Sequence, residues 1–122
     1  MAIVLQSIGE RGLLSDERIG FKVSSPSNTK NYLVFSTLKT GVGFYNRSEN
    51  VFWFPPQEVT SKDQIVLYTK SGQDSIKQNS DGSKTYFYYW GLDEAIFKSD
   101  KSIVVLAQVN TWTLSLPNPV IV

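Results

Sequence analysis

The chain has 122 residues, of which 41% are hydrophobic and 13% aromatic, and its 12 basic and 11 acidic side chains leave a net charge of +1. A chain of this size fits one domain with one hydrophobic core. It contains neither cysteine nor histidine, which excludes disulfides, thiol nucleophiles, imidazole bases and the commonest zinc ligand, and the balanced charge argues against a phosphate-neutralising nucleic-acid binder.

Short strand-like runs alternate with turn signals along the whole chain. Ala2 to Ile8 is apolar and β-branched; it is too short for a signal-peptide core and reads as a first strand. Ile19 to Val23 alternates large apolar with small or polar residues, the period of a half-buried strand. Ser24 to Asn31 is a turn cluster, followed by the apolar run Tyr32 to Phe35. Gly41 and Gly43 point to a bend before Phe44-Tyr45, and Val51 to Phe54 is cut by Pro55-Pro56.

Ile65 to Thr69 is a clean strand closed by Lys70-Ser71-Gly72, with Gly72 expected to supply a positive φ. A polar stretch from Gln73 to Ser83 carries the turn signal Asp81-Gly82. Thr85 to Trp90 is an aromatic strand ended by Gly91. Leu92 to Phe97 is the one place for a helical turn. Ile103 to Ala107 is the most apolar run, and Val109 to Leu116 alternates again until Pro117-Asn118-Pro119 breaks it before Val120-Ile121-Val122. Many short strands at this spacing predict an all-β sandwich or barrel. No stretch approaches the roughly 18 apolar residues of a membrane helix, so no membrane insertion is expected. A cytoplasmic location is expected, or a secreted one if a precursor was trimmed.

An ordered series of features runs through the middle of the chain. Phe52-Trp53-Phe54-Pro55-Pro56 comes first, then Glu58 to Gln64 leading into Ile65-Val66-Leu67-Tyr68-Thr69-Lys70-Ser71-Gly72. Tyr88-Tyr89-Trp90 follows, and Phe97-Lys98-Ser99 precedes Ile103-Val104-Val105-Leu106. Over Glu17 to Leu106 this resembles the lamin-tail domain, an immunoglobulin-like β-sandwich. The differences fall mainly at turns: Lys101-Ser102 stands at the family's Gly-Asp, and Phe97 at its turn Trp. The resemblance implies a non-catalytic module that acts through protein interaction.

The acidic pairs Asp16-Glu17 and Asp93-Glu94 are adjacent in sequence, so in a strand they face opposite ways and form no acid/base dyad; they read as solvated turn charges. Asn79-Ser80-Asp81-Gly82 lacks the spaced acids of a calcium loop and reads as a turn. Gly41-Val42-Gly43 lacks the third glycine of a phosphate loop. No metal, cofactor or catalytic set is expected.

Two features remain as binding candidates. In the aromatic strand, Tyr86, Tyr88 and Trp90 share one face while Phe87 and Tyr89 share the other. One face is core, and the other offers rigid aromatic contact area. The first set is the expected binding face. The second candidate is the apolar tail Val120, Ile121 and Val122, suited to pairing with a sheet edge. The sequence therefore predicts a single immunoglobulin-like β-sandwich over about residues 2–116, with 117–122 a flexible or strand-exchanging tail. Its expected role is non-enzymatic: binding a protein partner or itself through a strand edge and an aromatic face. The alternatives are a carbohydrate-binding module with a glycan ligand and a structural subunit of a viral or secretion assembly.

Overall fold

A computed structural model describes residues 1–117. Ten strands are present among these residues: β1 (Ile3–Gly9), β2 (Arg18–Val23), β3 (Ser27–Asn28), β4 (Tyr32–Leu38), β5 (Asn50–Trp53), β6 (Glu58–Val59), β7 (Gln64–Tyr68), β8 (Ser75–Gln78), β9 (Lys84–Tyr89) and β10 (Ser102–Gln108). The only helix among them is a 3-10 turn at Thr29–Asn31, capped by the Asn28 side chain. No helix among the described residues is long and apolar enough to cross a membrane.

Five strands form one sheet in the order β1-β2-β7-β9-β8, three form a second in the order β10-β4-β5, and β3 pairs with β6. Alternating strands send one face of each sheet inward. Ile3, Ile19, Phe21, Val23, Ile65, Leu67, Tyr86 and Tyr88 from the first sheet meet Tyr32 and Val34 from the second, with Phe54 just beyond β5, in one buried cluster. Each fully buried large side chain of this kind stabilises by about 1.5–3 kcal/mol. The molecule is thus an all-β sandwich, as the strand spacing predicts.

One pair departs from the purely antiparallel sheets of an immunoglobulin sandwich. β7 and β9 are parallel, Ile65 opposite Tyr86 and Leu67 opposite Tyr88. Parallel neighbours need a crossover. Here the chain leaves β7, passes the end of β9 through residues 69–74, forms β8 at the sheet edge, and returns by a hairpin into the gap. The hairpin turn is the predicted one: Gly82 sits at φ 88°, and its N–H donates to the Asn79 carbonyl.

Three local expectations are corrected. Gly72 has no positive φ; it is glycine because a Cβ there would run into the Tyr89 ring. Leu92 to Phe97 forms an irregular loop, not a helical turn. Val109 to Leu116, patterned as a strand, has no strand partner among the described residues.

Candidate binding site: an open edge between the sheets

The site begins with a buried carboxylate. Against the expectation of a solvated turn charge, Glu17 is fully buried just before β2, because four hydrogen bonds satisfy its carboxylate. The Gly12 and Phe97 amides donate to Oε1 at 2.9 and 3.0 Å. The Thr69 hydroxyl and Ile96 amide donate to Oε2 at 2.6 and 2.7 Å. Burial alone raises a carboxyl pKa, but these hydrogen bonds outweigh it and hold Glu17 below its ordinary value. One side chain therefore ties together the β1–β2 loop, the end of β7 and the loop before β10.

That tie seats Phe97 in the core, with the Arg11 guanidinium 5.0 Å from its ring centroid. Phe97 also lines a groove of about 530 Å³ between β1 and β10. Leu5 and Ile8 form one wall and Ile103 and Val104 the other, with Arg11, Lys39 and Asp100 at the rim. β1 and β10 are the edge strands of the two sheets on this side, so the groove marks where the sandwich is open.

The four edges of the two larger sheets differ in protection. An edge strand shows unpaired N–H and C=O groups, which proteins blunt with shortness, charge or a bulge. β5 and β8 have four residues each, and β8 carries Lys77. β1 has an irregularity between Leu5 and Ser7. β10 has seven residues in unbroken register with β4 and no charged side chain. Val104 and Leu106 face the core, while Val105 and Ala107 share the outer face with Phe35, Leu33, Val51 and Trp53. Val51 and Trp53 are exposed there.

The aromatic strand is oriented opposite to expectation. Tyr86 and Tyr88 are core residues, 4% and 5% exposed, so they present no binding face. Tyr88 packs against Phe54 at 5.4 Å between ring centroids, and burial pushes its phenol pKa up to about 12. The reason is pairing: β9 lies parallel to β7, which places Tyr86 and Tyr88 beside the buried Ile65 and Leu67. Trp90, just past β9, is half-buried against Phe52 at 6.0 Å. The outward aromatics are Phe87 and Tyr89, and Tyr89 stacks on Tyr68 with centroids 5.2 Å apart. The 69–74 crossover lays Gly72 against the Tyr89 ring, and the Lys70 ammonium lies 5.2 Å from the Tyr68 centroid. This aromatic pair is covered by the protein's own loop.

Val120, Ile121 and Val122 lie outside the described residues. The segment before them is informative. The Val109 amide donates to the Asn31 carbonyl, and Trp112 packs edge-on against Trp53 of β5 at 5.0 Å. Residues 109–112 therefore cross the start of β4 toward β5, away from the edge of β10 that is unpaired among the described residues. Sequence reasoning did not single out Ile103 to Leu106, Phe97 or Trp112 as site residues. The available signal was the absence of any charge from Ser102 to Val122.

A second groove, lined by Glu49, Asp93, Glu94 and Lys98 among others, is more polar. No three acidic side chains converge into a metal-binding group among the described residues. Comparisons with models of protein families, with curated proteins and with solved structures found no match.

Proposed function

We propose that this protein is a non-enzymatic interaction module that binds an extended protein segment along the outer edge of β10, which is unpaired among the described residues. The observation that carries this reading is the character of β10: seven residues, uncharged, unbulged and bordered by an apolar groove. Strand addition to such an edge draws affinity from main-chain hydrogen bonds and specificity from pockets for alternate side chains. Leu5, Phe97 and Val104 offer the inner pocket, and Phe35 and Val105 the outer surface. The likeness of the middle of the chain to lamin-tail domains supports the same reading, through an immunoglobulin-like sandwich that works by protein contact. A cytoplasmic location accords with a chain free of cysteine. A sugar platform has less support, because the outward tyrosine pair is covered by residues 69–74.

The test is titration of a panel of uncharged, alternating apolar–polar peptides by fluorescence anisotropy. Binding should be saturable, and Val105→Lys or Ala107→Lys should weaken it at least ten-fold while thermal melting confirms folding. Both positions lie on the face away from the core, so a lysine there blunts the edge without opening a cavity. Equal peptide binding by folded lysine variants would overturn the proposal.

A further inference from the structure

Two unpartnered features in this chain match each other. The first is the free edge of β10. Between Ile103 and Gln108 every backbone hydrogen bond goes to β4, so the alternate N–H and C=O groups on the other side are free among the described residues. The second is the segment Thr111-Trp112-Thr113-Leu114-Ser115-Leu116, which alternates polar and apolar residues with the period of a strand. It forms no strand, and Leu114 and Leu116 are 91% and 83% exposed. With Trp112, also exposed, they make three apolar side chains at every second position of a segment patterned for a sheet, the arrangement that a strand partner would cover.

The segment is poorly placed to pair with its own β10. Its root is tied by the Val109 amide to Asn31, and Trp112 rests on Trp53, so it heads toward the far side of the three-stranded sheet. Reaching its own β10 edge requires breaking both contacts and reversing direction within the few residues after Gln108. A neighbouring molecule's edge requires neither. Chemistry favours the same match: neither β10 nor residues 111–116 carry a charged side chain, so no like-charge repulsion between the two strands opposes close pairing.

We propose that the occupant of the β10 edge is a second copy of this chain, which donates its Thr113–Leu116 segment as an added strand. The Trp112–Trp53 contact then serves as the anchor from which the donor strand projects. One apolar side chain of the donor enters the groove beside Leu5, Phe97 and Val104, and the remainder lie along the edge. A head-to-tail exchange of this kind closes into a ring or continues as a filament, and a reciprocal one gives a two-fold dimer. The inference deepens the proposed function and rests on it, since it names the partner of the same edge.

The experiment uses the full chain. Light scattering across a concentration series should show assembly above the monomer mass. Leu114→Lys with Leu116→Lys should return the protein to monomer while leaving the melting temperature of dilute, monomeric protein unchanged, because both side chains are in water in the single chain. The absence of native cysteine allows a second readout. Chains carrying Ile103→Cys or Val105→Cys are mixed under mild oxidation with chains carrying Leu114→Cys or Ser115→Cys. Disulfides should form mainly between β10 chains and tail chains. A full chain that remains monomeric while uncharged peptides still bind the β10 edge would overturn the second-copy inference and leave the edge reading standing. Assembly that persists in the double-lysine variant, or disulfides that join only like chains, would also overturn it. Peptide binding unaffected by Val105→Lys would remove both readings.

Discussion

A Cβ at Gly72 would be driven into the ring of Tyr89, because the crossover from β7 to β8 lies directly on that ring. Gly72→Ala therefore should cost about 1–3 kcal/mol by overpacking, without a change in denaturant m-value. A variant as stable as the parent in urea unfolding would show that the loop moves freely off the ring. The same contact shows why side-chain orientation was only half legible. A period of two puts Tyr86 and Tyr88 on one face and Phe87 and Tyr89 on the other, but all four are aromatic. Hydrophobicity cannot rank the two faces. The choice is made by a neighbour distant in sequence, since parallel pairing sets Tyr86 and Tyr88 beside Ile65 and Leu67. In the sequence Gly72 looks like a backbone requirement for a related reason: which ring would cross its path depends on the same pairing.

Among the elements, the parallel pair of β7 and β9 has a specific fastening at its start. Asp63 is buried, and its two carboxylate oxygens accept from the Thr60 and Lys84 amides, each at 2.9 Å. Asp63→Ala leaves both amides without that acceptor and should cost about 2–4 kcal/mol, with amide hydrogen exchange speeding first at the start of β9. Unchanged protection at Lys84 and Thr85 would contradict this account. The apolar strands were legible in the sequence because burial and β-branching coincide in β2, β7 and β10. β8 was not, because all its residues are exposed and its polar sequence matches a loop. Val109 to Leu116 failed in the opposite sense: its alternation is that of a strand, yet a strand exists only when another pairs with it. The open edge of β10 could be glimpsed only as a run without charge, since which strands become edges is a property of the sheet order.

At the scale of the whole molecule, stability should hold a plateau between an acid and an alkaline limb, with no imidazole to titrate between them. Glu17 has its folded pKa lowered below the ordinary 4.5, so its contribution is complete above that value and is lost as pH falls through the folded value. Tyr88 is raised from 10 to about 12, so its contribution is complete below pH 10 and is lost as pH rises toward 12. Glu17→Gln should lower stability at neutral pH and flatten the acid limb, as measured by urea unfolding from pH 7 downward. An acid limb of unchanged depth in that variant would assign it to other carboxylates. Glu17 also connects stability to function, because the same hydrogen bonds that set its pKa hold Phe97 at the groove beside β10.

The measurement that tests the central claim most directly is residue-resolved amide hydrogen exchange across β10, in dilute protein and in the associated state, whether with peptide or with a second copy. The outward amides between Ile103 and Gln108 should exchange quickly when dilute and become protected on association, while β5 and β8 stay unchanged. Protection that appears at β5 or β8 and leaves β10 unaltered would show that the binding edge lies elsewhere on the sandwich.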